Sequence, residues 1–425
     1  MNLKHRHIIG ICLLLCGLSG FVACTDESPE LPRKEEDAPI FLTFQADVAG
    51  ASTRGAETAA DDRVEMLRIV IVSKATEAGT GSNPADTKWE VEHNTCFTSV
   101  GPQRPLEYTF KVAADSRKRI YLIANESGLV NTEGTPLDFS DEQFIPDATD
   151  KAPVDDHVFA ISSPRYPYTP SALPMTALYE TDVPSADQIT NGEFAWPNPL
   201  YLVRAATKLS FEFTNQSTRK AVTVTGIDIQ QVITDRMYLM PHVNKNSEDK
   251  YWVVEETETD GTPQYASKPL VNQDWVDWMG DEAQKSNEDK DNEWLTDYEV
   301  PDNAMPGTAT VPFTSLSMPA ATGTGPYPSA EASDAIYLPE SKTVKAENDP
   351  LQLQEYNITV RTKEQATDGT EEKEKTYPPQ TLPHLASLFR NTHVVVGIVF
   401  TDHDIECEVD VIPYSEVILE PDFGL

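Results

Sequence analysis

Proline interrupts this chain too often for long helices to form. The sequence carries 32 prolines against 20 glycines in 425 residues, inverting the usual ranking of about 5% proline and 7% glycine. A ring-locked φ and a missing N–H break helix interiors but are tolerated at strand ends and in turns. The density is high across residues 126–199, with prolines at 136, 146, 153, 164, 167, 170, 174, 184, 197 and 199. Short β-segments joined by stiff loops are expected.

Between the prolines the hydrophobic period is two. Ile40, Leu42, Phe44, Ala46 and Val48 alternate with Phe41, Thr43, Gln45 and Asp47, the pattern of a strand with one buried face. Further strands are predicted at 64–73, 88–93, 106–112 and 119–124. The pattern resumes at Leu200, with Leu209, Phe211 and Phe213 alternating, and the run at 221–232 is expected to pair with it. Later runs lie at 335–338, 351–362, 393–401, 405–412 and 416–419. Asp402-His403-Asp404 is the expected turn between two of them, and 363–375 a charged loop. Residues 244–305 break the pattern. They are acidic, carry Trp252, Trp275, Trp278 and Trp294, and offer one short helical window at 271–284. No fixed-period repeat is present, which argues against a solenoid or propeller. The expected class is all-β, as two packed antiparallel β-sandwiches meeting near residue 203.

The N-terminus sets the compartment. Lys4 and Arg6 precede an uncharged apolar run over residues 8–21, which reads as a secretory signal. The run is too short to span a bilayer, which takes about 20 residues. It ends Phe21-Val22-Ala23-Cys24, similar to a bacterial lipobox, which implies a diacylglycerol on Cys24 and cleavage before it. The expected organisation is a signal over 1–23 and a lipidated polar tether over 24–38. A first domain follows over 39–203, and a second over 204–425 with an insertion at 244–305. No later segment approaches the roughly 18 apolar residues of a membrane helix. Removing the signal takes the net charge from −36 to −38. Nucleic acid is excluded as a partner, because a polyphosphate needs a basic footprint. Polybasic docking on anionic lipid fails for the same reason. Cys12 and Cys16 leave with the signal. Cys96 and Cys407 remain in different predicted domains and are expected as buried free thiols rather than a disulfide.

Motifs for chemistry are missing. The histidines are scattered, with no H-E-x-x-H to present ligands on one face. Asp289-Lys290-Asp291-Asn292-Glu293 begins like a calcium loop, but Trp294 stands where the required glycine belongs. Asp402, Asp404 and Glu406 read as a solvated hairpin turn rather than a cation site. No G-x-S-x-G, Walker A or dinucleotide glycine motif occurs. No catalytic residue, metal or cofactor is expected, and the chain is not expected to be an enzyme, although a carboxylate pair is set by space rather than sequence spacing. Trp275, Trp278 and Trp294 either pack the insertion against its own domain or stand out as adhesive platforms.

Several segments, in order, resemble the fimbrillin superfamily of Bacteroidales, the pilus proteins of that group. They are the lipobox ending at Cys24, the first strand leading to Thr53-Arg54-Gly55, and the 64–72 strand. They continue with Arg119–Asn125 (RIYLIAN), Pro174-Met175, Arg204–Leu209 (RAATKL), Leu388–Val396 (LFRNTHVVV) and the closing run over 409–425. The insertion at 244–305 has no counterpart. The resemblance implies two transthyretin-like sandwiches, export to the outer membrane and cell surface as a lipoprotein, and assembly by strand exchange. A trypsin-like protease would cut after Arg54, before Gly55, releasing the strand that carries Ile40, Leu42, Phe44, Ala46 and Val48. Arg63 is a rival site, set directly against the next strand. An apolar groove with unpaired edges does not stay open and is filled by another subunit's strand. Val409, Val411, Val417 and Leu419 have the alternation of such a donor, interrupted by Pro413. The partners implied are other pilin subunits, outer-membrane lipid through Cys24, and a host or bacterial surface ligand. The alternative is a surface lipoprotein that captures glycans.

Overall fold

The computed structural model describes residues 40–48, 63–75, 88–98, 100, 105–147, 151–160, 173–196, 199–240, 256–257, 263–264, 300–304, 306–312, 314–332, 335–341, 356–369, 371–383, 385 and 388–413. These residues are nearly all β, and their only helices are 3₁₀ turns of three or four residues. The strands of the first half are β1 (Ile40–Val48), β2 (Met66–Ala75), β3 (Glu90–Thr98), β4 (Leu106–Val112), β5 (Ser116–Ala124), β6 (Val130–Asn131), β7 (Val158–Ala160), β8 (Met175–Val183), β9 (Glu193–Ala195) and β10 (Leu200–Arg204). One sheet runs β3-β2-β5-β8-β10-β1-β4, with β9 also on β1. Its two end strands come side by side. The Phe97 and Tyr108 rings lie 4.8 Å apart, and His93 Nε2 donates to the Lys111 carbonyl at 2.7 Å.

This sheet is covered on both faces. Leu67, Ile69, Ile71 and Leu122 share one core with the inward residues of β1. Val70, Val72, Tyr121, Ile123 and Leu178 share another with Leu129, Phe144, Val154 and Phe159 of the proline-rich stretch. That stretch is not merely loop. It supplies 3₁₀ turns at Asp141–Phe144 and Pro153–Asp156, the short strands β6 and β7, and the nine-residue β8. Sequence periodicity misses β8 because Met175 to Tyr179 are all buried. A strand covered on both faces has no alternation to read.

The second half holds β11 (Thr207–Asn215), β12 (Lys220–Ile233), β13 (Arg236–Tyr238), β14 (Glu256–Thr257), β15 (Pro263–Gln264), β16 (Pro306–Val311), β17 (Leu316–Met318), β18 (Ser329–Glu331), β19 (Ile336–Leu338), β20 (Asn357–Ala366), β21 (Lys373–Thr376), β22 (Gln380–Thr381), β23 (Thr392–Phe400) and β24 (Ile405–Pro413). One sheet runs β18-β11-β23-β24 with β19 on β11, and the other β16-β12-β20-β21 with β17 and β22 attached. Leu209, Phe211, Phe213, Val394 and Val396 share one core with Val222, Val224, Ile227, Ile358 and Val360, the filling of a sandwich. The expected pairing of β11 with β12 is therefore wrong. Both strands alternate, so each turns its apolar face toward the other across the core instead of forming a hairpin. Asn215 fixes the crossing, donating to the Lys220 carbonyl at 3.0 Å and the Pro319 carbonyl at 2.8 Å. β11 instead pairs in parallel with β23, from Lys208↔His393 to Asn215↔Phe400.

Two smaller expectations need the same treatment. Residues 363–375 are not one loop: 363–366 belong to β20, where Lys363 and Glu364 pair with Glu374 and Lys373 of β21. Their charge reflects an exposed hairpin rather than absent structure. Asp402-His403-Asp404 does form the turn between β23 and β24, closed by Thr401 N donating to the Asp404 carbonyl at 2.9 Å. The three-stranded sheet β13-β7-β6 joins residues 236–238 to the layer over the first sheet.

Candidate functional site

β1 sits inside the first sheet rather than on its rim. It pairs antiparallel with β4 along seven residues, Ile40↔Val112 to Ala46↔Leu106. Its other edge pairs in parallel with β9 at 41–43 and with β10 at 46–48. Ile40, Leu42, Phe44, Ala46 and Val48 are each at most 1% exposed. The Phe44 ring lies 6.0 Å from Phe110 and 6.1 Å from Tyr108. Burying such side chains stabilises by about 1.5–3 kcal/mol each for the larger ones. Among the described residues β4 has no ladder partner except β1. Taking β1 away would leave three strands with unpaired edges over an apolar floor. Phe41, on the outer face of β1, is 49% exposed.

The other sequence-predicted positions divide sharply. Cys24, Arg54, Gly55, Val417, Leu419, Trp275, Trp278 and Trp294 lie outside the described residues. Val409 and Val411 lie in β24, where they pair with Val396 and Val394. Val409 packs against the second core. This part of the predicted donor run is thus already engaged with its own chain. Arg63 is described, with its side chain 57% exposed beside Glu65. Its carbonyl, however, accepts a hydrogen bond from Asn125 Nδ2 at 2.8 Å.

Four of the segments that carry the resemblance, those holding Asn125, Pro174, Arg204 and Arg390, contribute to one buried polar seam. Asn125 closes RIYLIAN at φ 57°, a left-handed conformation that asparagine tolerates better than most residues. It is 4% exposed. Arg204 and Arg390 are fully buried. Arg390 meets Glu340 in a two-pronged pair at 2.7 Å and 2.7 Å. It also donates to the carbonyls of Leu239 at 3.1 Å and Tyr238 at 2.8 Å. Arg204 Nη1 donates to Asn391 Oδ1 at 2.9 Å. Asn391 N donates to the Ala206 carbonyl at 2.8 Å, and Ala205 N to that of Pro174 at 2.8 Å. Thr207 donates to the Phe389 carbonyl, and Thr176 to that of Leu239 at 2.9 Å. Buried charge persists only where geometry and hydrogen bonds compensate desolvation. Sequence reasoning marks Arg204 and Arg390 as motif members but not Glu340, which no local pattern distinguishes from other acids.

Other ionisable groups lie apart from this seam. Asp155 is 4% exposed, and burial pushes its carboxyl up to about 7, against the opposing pull of Arg119. Its Oδ2 accepts from Ala152 N at 2.9 Å, closing a 3₁₀ turn. Lys118 is fully buried and meets Glu92 at 2.6 Å; burial lowers its ammonium pKa. Cys96 and Cys407 are free thiols, half-buried rather than fully buried. Burial raises both, Cys407 to about 11, the opposite of an activated nucleophile. Asp402 accepts from Ser217 Oγ at 2.7 Å and Thr218 N at 3.1 Å, so it caps a turn. Among the described residues no group of three or more His, Cys, Asp or Glu side chains is placed to hold a metal ion.

No protein-family model matches the sequence, and no curated protein is similar to it. Solved structures are. A Parabacteroides distasonis protein proposed to act in cell adhesion is 12% identical with a TM-score of 0.45, covering 89% of this chain and 98% of its own. The tip fimbrial protein Mfa3 from Porphyromonas gingivalis, with a C-terminal truncation, is 12% identical with a TM-score of 0.42, covering 88% and 100%. A fimbrial protein from Bacteroides vulgatus is 9% identical with a TM-score of 0.41, covering 88% and 99%.

Proposed function

We propose that this chain is a subunit of a surface fimbria, exported as a lipoprotein and assembled by exchange of its first strand. The observation that carries the reading is the seat of β1. A strand near the N-terminus, entered from a lipidation motif and left toward Arg54, fills the interior of a sheet with five alternating buried side chains. Cleavage after Arg54 would separate β1 from β2 and free it to leave. The vacated groove would offer the β4, β9 and β10 edges to a strand from another subunit. Residues 39–203 and 204–425 are the two modules of this reading. Cys24 holds the precursor at the outer membrane until processing. Val417 and Leu419 supply the outgoing strand, because Val409 and Val411 are held in β24. The role is adhesive and mechanical rather than catalytic, with Trp275, Trp278 and Trp294 as the adhesive aromatics.

Limited trypsin treatment of the mature chain tests the reading. The expected result is a new N-terminus at Gly55, followed by detergent-resistant ladders on electrophoresis. A chain that stays monomeric after that cut, or resists it and instead binds oligosaccharides, overturns the proposal.

A further inference from the structure

Arg63 presents a second arginine to any protease that cuts at Arg54. We propose that Asn125 guards the Arg63–Val64 peptide bond against such proteases, so that trimming of the N-terminus stops short of β2. The bond looks accessible from the side chain alone, since Arg63 points into solvent. The backbone around it is not accessible. Asn125 uses both amide protons to hold carbonyls from two distant segments, Arg63 at 2.8 Å and Leu173 at 2.7 Å. Its Oδ1 accepts from Glu65 N at 2.9 Å and Met66 N at 3.5 Å. Its own N–H donates to the Met66 carbonyl at 3.0 Å. On the far side of the bond Val64 is 3% exposed and belongs to the first core. The Glu65 carbonyl is taken by Val100 N at 3.2 Å.

A serine protease must draw the scissile carbonyl into its oxyanion hole and align the flanking backbone with its own. At Arg63 the carbonyl already has a buried donor, the next side chain is in the core, and the following N–H groups are bound. Cleavage therefore requires local opening of residues 63–66, and its rate follows the population of that open form. Asparagine suits the post because one planar amide offers two donors and one acceptor, and its backbone accepts the left-handed turn. The protection is a property of the folded chain alone; its biological meaning rests on the fimbrial reading.

The test is trypsin digestion of the full chain with N-terminal sequencing. The native chain should give no N-terminus at Val64 at enzyme doses that cut a urea-unfolded sample there. Asn125→Asp keeps the size and the acceptor but loses both amide donors, and Asn125→Ala loses all four side-chain bonds. Both should release Val64 ends at about tenfold lower protease or less, the effect of unmaking buried hydrogen bonds. Val396→Ala, in the other core, is the control for lowered stability. If it exposes the bond as readily as the Asn125 variants, global stability and not Asn125 is the guard. Should neither Asn125 variant fold, hydrogen exchange on the native chain decides. The Glu65 amide, on a residue whose side chain is 57% exposed, should be strongly protected. Exchange at the unprotected rate, or a Val64 end from the native chain at low dose, overturns the proposal. Neither outcome bears on ladder formation, which tests the fimbrial reading by itself.

Discussion

At the residue scale the buried pair of Arg390 and Glu340 shows what a single substitution can do. Truncating Glu340 removes the carboxylate that pairs with Arg390, and the guanidinium charge stays in the interior. Glu340→Ala should lower unfolding stability by about 3–5 kcal/mol, while the double change Glu340→Ala with Arg390→Met recovers much of that loss. Urea midpoints of the single and double variants check this. Asp155 makes a pH prediction. Its folded pKa, about 7, is above the unfolded value, so the stability from its protonated form is complete below about pH 4. That stability is lost as pH rises through 7. Hydrogen exchange over residues 152–160, corrected for intrinsic rates, should report easier opening at pH 8 than at pH 5. Asp155→Asn should remove the difference. The groups around it are Arg119, Asp156 and Tyr121. None of these roles is legible locally. Arg204 and Asn391 are 187 residues apart, and only the fold brings them together.

At the element scale β1 makes the sharpest contrast. Phe44 is 1% exposed and Phe41 49% on the same strand. Phe44→Ala should cost about 3–5 kcal/mol, and Phe41→Ala less than about 0.5 kcal/mol, measured by chemical denaturation. The alternation that predicts this difference is legible in the sequence, as it is for β11, β12 and β23, whose buried faces alternate throughout most of their length. β8 is not legible, because burial on two faces erases the period. The partners of β11 are not legible either. An alternating strand states which face is buried, not which neighbour takes its backbone bonds. The first strand and its apolar residues could thus be read directly, whereas the guard at Asn125 could not. Its partners Arg63 and Leu173 lie 62 and 48 residues away.

At the scale of the whole molecule the net charge of −36 becomes a rate. Subunits of like charge repel as they approach, and salt screens that repulsion over a Debye length of about 8–10 Å near physiological ionic strength. On the proposed fimbrial reading, ladder formation after the cut should therefore accelerate several-fold between roughly 20 and 150 mM salt. A rate that falls with salt would mean that attraction between opposite patches governs the encounter. The parallel pairing of β11 with β23 has a different consequence. It joins residues 208–215 to 393–400, so β11 lacks this ladder until β23 is available. Contacts so distant in sequence are slow to form, because loop closure precedes the gain from pairing. A chain threaded N-terminus first through a narrow pore would leave β11 waiting through some 180 residues of transit. The stretch between must stay unaggregated meanwhile, and its acidic composition is suited to that interval. β23 would act as a lock that shuts only once it has followed β11 through such a pore.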